Sequence, residues 1–320
     1  MSYPRSILFL EKFDFANLTR LQQFGFQLIE EYRAETLDHS DVCAIFTKVS
    51  KKLPKEFMRR FPNLAFVVIP ATGTDLVEIS DKEIQNFEVI SLRDNPDILQ
   101  KFHSTREVFL WLLISLLRNT YQGAKDVELS RNWDRDKHIG TNLYGKKIGI
   151  LGYGRIGSQI AETCNALGMQ VYAWDISKKS KINPGVHFVS SPESLVSSVE
   201  VLSINIDSRP ENVSYINQDL LSLGKDLYLI NTARGFVVDE SSVLSCLANG
   251  TLLGYGADVL VGEGSDGQWL EQNIIWKAMV SMNHYNIVLT PHLGGATHEN
   301  IHQAESAVID VFLKRVMSVD

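Results

Sequence analysis

Three ionisable residues in the second half of this 320-residue chain follow directly on apolar runs, and each is of a type that can do chemistry there. In Ile230-Asn231-Thr232-Ala233-Arg234-Gly235 an arginine leaves a run that reads as a strand. Its planar fork can grip a carboxylate through two parallel hydrogen bonds, which fixes orientation as well as charge. In Thr290-Pro291-His292-Leu293-Gly294-Gly295 a histidine leaves another such run, and imidazole is suited to passing a proton near neutral pH. Glu263 follows Asp258-Val259-Leu260-Val261-Gly262 and can orient His292 and favour its protonated form. Taken singly, each has a plainer reading: a surface arginine, a hydrogen-bonded structural histidine, a solvated loop charge.

A fourth feature gives these residues a setting. Gly152-Tyr153-Gly154-Arg155-Ile156-Gly157 lies between the run Lys147–Leu151 and a helical segment, and Asp175 closes the next apolar run. Glycine at 152 permits a tight turn, at 154 a close approach of backbone to a pyrophosphate, and at 157 close packing of helix on strand. The helix N-terminus then offers free N–H groups and the positive end of its dipole to phosphate. Asp175 stands where a carboxylate accepts from adenosine ribose hydroxyls, and it would repel a 2′-phosphate, so NAD is expected rather than NADP. Lys178 and Lys179 nearby weaken that preference. A dinucleotide beside an arginine, a histidine and a carboxylate suggests hydride transfer to or from a small acid.

The elements that must position these groups alternate between strand-like and helix-like along the chain. Ser6–Leu10, Val42–Thr47 and Leu64–Ile69 read as strands, with helices over Leu18–Gly25 and Pro54–Phe61 between them. Ser104–Asn119 is apolar around nearly its whole circumference and reads as a helix buried on most sides. Beyond it, Lys147–Leu151, Gln170–Trp174, Val201–Ile206, Leu227–Asn231, Gly254–Val259 and Ile287–Thr290 read as strands and Arg155–Leu167 as a helix. Thr297–Lys314 reads as an amphipathic helix with Ile301, Ala304, Val308 and Val311 inward. Such alternation predicts an α/β protein with two parallel-sheet units.

Composition narrows the classes. The chain is 44% hydrophobic and 22% charged, with 31 basic against 38 acidic side chains and a formal net charge of −7. A phosphate-tracking nucleic-acid face usually carries a basic excess, so a general nucleic-acid partner is not expected. There is no apolar run of about 20 residues, so no membrane partner is expected. The N-terminus reads as a first strand and not a signal peptide. Three widely spaced cysteines form neither a disulfide framework nor a metal knuckle, so no metal and a reducing cytoplasm are expected.

Taken together, LYGKKIGILGYGRIG, INTARGFVVDE, LANGTLLGYGADV and LTPHLGG, in that order between about residues 103 and 297, resemble the D-isomer-specific 2-hydroxyacid dehydrogenases, the family that includes D-3-phosphoglycerate, D-lactate, glycerate and formate dehydrogenases. The resemblance implies two Rossmann-like, doubly wound parallel-sheet domains, one flavodoxin-like and one NAD-binding, with a cleft between them. Residues 1–102 plus 293–320 would form the substrate-binding domain and 103–292 the NAD-binding domain. It implies that Arg234, Glu263 and His292 are the catalytic set, with His292 giving the proton to a keto oxygen, Glu263 raising its pKa and Arg234 holding the substrate. NAD would be held by Gly152, Gly154, Arg155, Ile156, Gly157, Asp175 and Thr232, with Asp258 on the nicotinamide carboxamide. The backbone N–H groups of Thr72 and Gly73 would bind the substrate carboxylate, and a homodimer would form around the Ser104–Asn119 helix. The expected activity is NAD-dependent oxidoreduction of a D-2-hydroxy acid or its 2-keto acid, with a 3-phosphoglycerate-like acid among the candidates. The alternative is an NAD(H)-sensing, corepressor-like binding protein on the same fold.

Four departures from the family pattern bear on the substrate. Ala71 replaces the first glycine of the loop beside the substrate, and Gly264 replaces the proline after the glutamate. The 264–286 segment is long and carries Trp269 and Trp276. Asn205-Ile206-Asp207 replaces His-x-Pro, which adds a carboxylate expected on the nicotinamide-ribose side. Lys48, with Lys51 or Lys52, lies where an arginine serves a phosphate in phosphoglycerate dehydrogenases, and would serve an anionic group or simply be solvated.

Overall fold

The computed structural model describes residues 6–30, 39–48, 53–74, 77, 87–177, 182–264, 267–281 and 285–318. In chain order the first elements are β1 Ser6–Phe9, α1 Phe15–Gln23, β2 Gln27–Glu30, β3 Val42–Phe46, α2 Lys55–Met58, β4 Phe66–Ile69, β5 Glu88–Ser91 and α3 Pro96–Leu99. There follow α4 Ser104–Arg118, α5 Thr120–Ser130, β6 Lys147–Leu151, α6 Arg155–Ala166, β7 Gln170–Trp174, β8 Val186–Phe188, α7 Pro192–Ser198 and β9 Val201–Ile204. The remainder are α8 Gln218–Leu221, β10 Leu227–Asn231, α9 Glu240–Ala248, β11 Leu252–Ala257, α10 Ile274–Ser281, β12 Ile287–Leu289 and α11 His298–Met317.

The contacts divide the chain into two compact units, Met1–Phe102 with Thr297–Asp320, and His103–Ala296. The second break therefore falls later than the expected residue 293. The cause is local: Leu293 and Gly294 donate their backbone N–H groups to Asp258, at 2.7 and 2.8 Å, which ties the loop after β12 to the larger unit.

In the first unit five parallel strands run in the order β2-β1-β3-β4-β5. All five residues of β3, VCAIF, are buried, as a parallel strand covered on both faces requires. One face packs on α1 and α11, where Phe312 is fully buried against Phe26, Phe46 and Phe66 at ring-centroid distances of 5.2–5.4 Å. The other face is covered by Leu53, Met58, Phe61 and Val77. Of the residues expected to point inward on α11, Ala304 and Val308 are buried and Val311 half-buried, but Ile301 is 40% exposed. The inner stripe instead passes through Glu305, Ile309 and Phe312.

In the second unit seven parallel strands run β12-β11-β10-β9-β6-β7-β8. Chain order reverses at β6, which has β7 on one side and β9 on the other. Ligands of open α/β sheets bind beyond the strand C-termini at such a switch point. Helices α4 and α6 bury one face of this sheet and α7 to α10 the other. Helix α4 buries Phe109, Leu112, Leu113, Leu116 and Leu117, each contributing about 1.5–3 kcal/mol of transfer free energy. Its close seat on β11 depends on alternating glycines: a Cβ at Gly254 or Gly256 would lie 3.0–3.1 Å from the Leu116 side chain. Among the described residues no helix is long and apolar enough to cross a membrane.

Candidate active site

The loops that leave β10, β11 and β12 bring the three ionisable residues into one electrostatic neighbourhood. His292 has φ 53° and ψ 51°, a left-handed conformation that L-residues other than Asn, Asp and His rarely adopt. Asp258, one residue past β11 and 1% exposed, holds it there. The Asp258 carbonyl accepts from His292 N at 2.8 Å. Its Oδ1 accepts from Thr290 Oγ1 at 2.6 Å and Leu293 N at 2.7 Å, and Oδ2 accepts from Gly294 N at 2.8 Å. From the first turn of α4, Ser104 Oγ and Thr105 Oγ1 donate to the Gly294 carbonyl at 2.6 and 2.9 Å. The loop that carries the imidazole is thus fixed by a frame of six hydrogen bonds that joins the ends of β11 and β12 to the start of α4.

Glu263 Oε2 accepts from His292 Nδ1 at 3.1 Å, with both side chains about one-third exposed. That bond sets the tautomer and leaves Nε2 to exchange a proton with a bound molecule. It also raises the His292 pKa above the ordinary histidine value, outweighing burial and the nearby positive charge of Arg234, which press it down. Burial raises the pKa of Asp258, against the pull of its donors.

Arg234 is carried on a loop with its own staple. Asn231 is fully buried at the end of β10; its Oδ1 accepts from Ala233 N at 3.0 Å and its Nδ2 donates to the Arg234 carbonyl at 2.9 Å, an Asx turn. The guanidinium Nη1 donates to the Ala233 carbonyl at 2.8 Å. Glycine must follow, since a Cβ at Gly235 would lie 2.1 Å from the Leu260 backbone.

The glycine turn separates its three glycines by role. Gly152 has φ +92°, and a Cβ there would meet the Asn205 carbonyl at 2.7 Å. A Cβ at Gly157 would lie 2.0 Å from the Gly152 carbonyl oxygen, and one at Gly154 would meet nothing within 4 Å. Gly152 and Gly157 therefore close the turn, whereas Gly154 faces open space at the N-cap of α6, which has no side-chain cap. Thr232 Oγ1 and Asn205 Oδ1, at the ends of neighbouring strands, are buried with no hydrogen-bond partner among the described residues. Asp175 Oδ2 accepts from Tyr153 N and Oδ1 from Ser177 N, both at 2.8 Å, which fixes the carboxylate beside the glycine turn. Burial lowers the Arg155 pKa, and Ile156 is half-buried beside it. An open cradle, an uncapped helix and orphaned polar atoms along one sheet edge fit a dinucleotide.

The substrate-side expectations fall in the first unit. Thr72 and Gly73 follow β4 in a loop held by Ala71, whose N–H donates to the Ile69 carbonyl at 2.8 Å and whose carbonyl accepts from Leu92 N at 3.0 Å. Gly73 is buried and Thr72 half-buried. The Lys48 ammonium lies 2.7 Å from Oε1 of fully buried Glu305, an ion pair without hydrogen-bond alignment, and 5.0 Å from the centre of the Phe13 ring. Glu305 Oε2 also accepts from Asp14 N at 2.7 Å. Lys48 is thus tied into its own unit's core. Lys51, Lys52, Lys178 and Lys179 lie outside the described residues.

Two departures resolve into local packing. At Gly264 the carbonyl accepts from Trp269 Nε1 at 2.8 Å, and the indole lies 3.3 Å from where a Cβ would be. Asn273 just before α10 donates to both carboxylate oxygens of buried Glu240, so the long segment folds back onto its own unit. Asp207 is not a lone carboxylate: its Oδ1 accepts from Arg209 Nε and Asn212 Nδ2, each at 2.8 Å. The charge of Asp207, and after it those of Glu211 and Asp175, favours the charged form of Arg209.

Comparison with known proteins agrees with this geometry. A family model described as the NAD binding domain of D-isomer specific 2-hydroxyacid dehydrogenases matches residues 110–294. The D-3-phosphoglycerate dehydrogenase of Bacillus subtilis is 29% identical over 259 residues, 80% of this chain and 46% of that one. The glycerate dehydrogenase of Methylorubrum extorquens is 28% identical over 261 residues, 79% and 76% of the two chains. An NADPH-dependent glyoxylate/hydroxypyruvate reductase from Sinorhizobium meliloti, solved with NADP and malonate, superposes with a TM-score of 0.79 at 26% identity over 97% of this chain and 92% of that one. The alignment spans less than half of the Bacillus protein.

Proposed function

This chain belongs to the D-isomer specific 2-hydroxyacid dehydrogenases and carries that family's NAD-binding domain; on that premise we propose that it transfers a hydride between NAD(H) and a D-2-hydroxy acid or its 2-keto acid. The observation that carries the reading is the Glu263–His292 pair at 3.1 Å, clamped by Asp258 and within the field of Arg234. When bound, the nicotinamide supplies or accepts the hydride. The protein's own residues do the rest. Arg234 binds the substrate carboxylate and polarises the neighbouring carbonyl. His292, kept protonated by Glu263, donates from Nε2 to the keto oxygen in reduction and takes that proton back in oxidation. Gly152, Gly154, Arg155, Ile156, Gly157, Asp175 and Thr232 hold the dinucleotide, and Thr72 and Gly73 keep their expected role toward the carboxylate.

The relatives named here are dehydrogenases and a reductase, which favours catalysis over the sensor reading. Because Lys48 is paired with Glu305, no phosphate site is assigned to it, and a small unphosphorylated 2-keto acid is the favoured substrate. A homodimer is the favoured assembly, supported by exposed Trp111, Leu129, Trp133 and Ile139 on and beyond α4 and α5. Light scattering gives its mass directly.

The experiment is NADH oxidation against pyruvate, glyoxylate, hydroxypyruvate and 3-phosphohydroxypyruvate, with His292→Ala as control. Turnover that falls by about two to four powers of ten in the variant is expected for the loss of a general acid. Turnover unchanged in His292→Ala refutes the assignment. NADH binding without turnover on any keto acid would return weight to the sensor.

A further inference from the structure

The carboxylate that orients His292 stands between two glycines. Gly262 has φ +80°, a Cβ there would meet nothing within 4 Å, and Val261 before it is 44% exposed. This stretch of main chain is not seated on core: a pocket of about 540 Å³ opens beside it, lined in part by Phe236, Val261, Gly262, Trp269 and Asn273. Glycine on both sides gives a residue the widest backbone freedom a chain allows, yet Glu263 Oε2 meets His292 Nδ1 at 3.1 Å. The family pattern has a proline at 264, which fixes its own φ and restricts the residue before it. Gly264 imposes neither restriction.

Two clasps from the 269–273 segment hold the loop on either side of Glu263. Before it, Asn273 Nδ2 donates to the Val261 carbonyl at 3.3 Å, and Val261 N donates to Glu240 Oε1 at 2.8 Å. Asn273 Nδ2 also donates to both oxygens of buried Glu240, so amide and carboxylate together grip Val261 at its N–H and its carbonyl. After it, Trp269 Nε1 donates to the Gly264 carbonyl at 2.8 Å. The indole lies 3.3 Å from where a Cβ at Gly264 would be, and fills the space that a side chain there would take. Both clasps share one support: Gln272 N donates to the Trp269 carbonyl and Asn273 N to the Leu270 carbonyl, each at 2.9 Å, and Trp269 packs against the buried core of the unit.

We propose that Trp269 is a positioning residue for Glu263: by holding the Gly264 carbonyl, its indole N–H supplies the restriction that glycine gives up and keeps the Glu263 carboxylate on His292 Nδ1. The proposal rests on the reading of Glu263 and His292 given above and deepens it. Trp269 acts through the carboxylate alone. Within this unit the charged groups that act on His292 are Glu263, Arg234 and Asp258, and its bond to Glu263 is the largest influence holding it protonated. A carboxylate that swings away weakens that hold, so the imidazole gives up its proton at lower pH and the general acid is lost earlier on the alkaline side.

The test is the pH profile of kcat for NADH-dependent reduction, with whichever of the four keto acids above the wild type turns over. The variants are Trp269→Phe, Trp269→Tyr, Glu263→Gln and the double variant Trp269→Phe/Glu263→Gln. Both ring variants keep a packed aromatic and lose the indole N–H. In each, the alkaline limb is expected to move to lower pH by about 0.3–1 pH unit, the two- to tenfold effect of one hydrogen bond. KM at the acid end should stay within about twofold of wild type, because no substrate contact is removed. Glu263→Gln should move the limb further, and adding Trp269→Phe to it should move the limb no more, since the indole then has no carboxylate to position. A limb unmoved in both ring variants while Glu263→Gln moves it overturns the proposal alone, whatever urea melts show for stability. So does a fully additive shift in the double variant, since the indole then reaches His292 by another route. A Glu263→Gln limb in the wild-type place, or a wild type that reduces none of the four acids, overturns the underlying reading and this proposal with it.

Discussion

Two glycines three residues apart should respond in opposite ways to the same methyl group. At Gly154 a Cβ meets nothing within 4 Å, and φ −84° with ψ −158° is extended backbone that alanine adopts. Alanine there gains about 0.4–1 kcal/mol by restricting the unfolded chain and loses a similar few tenths to 1 kcal/mol as a poorer N-cap than glycine. Gly154→Ala is therefore expected to unfold within about 1 kcal/mol of wild type. At Gly157 the added atom would lie 2.0 Å from the Gly152 carbonyl oxygen, and contacts under 3.0 Å do not occur, so turn or helix must move by at least the 1.0 Å difference. Alanine's helix propensity returns about 1 kcal/mol, but overpacking against backbone, with no side chain to yield, costs about 2–3 kcal/mol, the upper part of the usual range. A net loss of about 1–2 kcal/mol follows. Dinucleotide binding should fall in both, by about a hundredfold: Gly154→Ala fills the cradle and Gly157→Ala displaces it. All five tryptophans lie within His103–Ala296, so urea melts followed by their emission report this unit alone. Titration with NADH on the same samples gives the binding. A Gly154→Ala protein that binds NADH like wild type refutes the cradle, and a Gly157→Ala protein as stable as wild type refutes the packing role.

Three further outcomes follow from the same contacts. Glu263 raises the His292 pKa, so Glu263→Gln should move the alkaline limb of the pH profile for keto-acid reduction to lower pH; an unmoved limb would separate the pair functionally. The sign for stability is parallel: a raised folded-state pKa contributes below the unfolded value and is lost as pH rises through the folded one, so the variant should lose that pH dependence. Asp258→Asn turns one acceptor into a donor facing the loop amides and should cost about 1–3 kcal/mol in the same urea melts, with a lower kcat. A nicotinamide contact alone would leave the melt of the dinucleotide-free protein unchanged. Glu305→Ala strands the partly buried Lys48 and should destabilise the first unit by about 3 kcal/mol, the low end for a broken buried pair because Lys48 is 27% exposed; hydrogen exchange in α1 and α11 is the measurement, and unchanged protection there would rule it out.

What was legible in the sequence follows from which contacts are local. The glycine turn could be read because its three roles depend on backbone geometry within six residues and on strands of uniform apolar composition on either side. The strands Lys147–Leu151, Gln170–Trp174 and Leu227–Asn231 match their expected bounds for the same reason: each is a parallel strand with neighbours on both sides, followed at once by glycine or a polar residue. The strands β2, β5 and β8 were not anticipated. They lie at the sheet margins, are three or four residues long, and each carries exposed or half-buried positions, so no continuous apolar run announces them. Ile301 was placed inward by its spacing from Ala304 and Val308, but the stripe that faces the sheet turns through Glu305, and a buried glutamate is invisible to a pattern built on apolar residues.

The polar frame around the active site is the part that spacing could not supply. Asp258 and Gly294 are far apart along the chain, and their pairing exists only because β11 and β12 are neighbours in the sheet and end level with each other. The same holds for Ser104 and Thr105, whose hydroxyls reach Gly294 from the polar first turn of a helix that is otherwise read for its apolar run. A motif identifies the residue that must touch the substrate, because that residue's type is dictated by chemistry. The residues that hold it in place are dictated by where neighbouring elements happen to end. A left-handed histidine has few ways to be held, and here it is held by one buried carboxylate with three donors from the loop that carries it. The strength of that clamp, and not the identity of His292 alone, determines how well the imidazole keeps its aim when Glu263 is altered, which is why the Asp258 and Glu263 substitutions should be non-additive when combined.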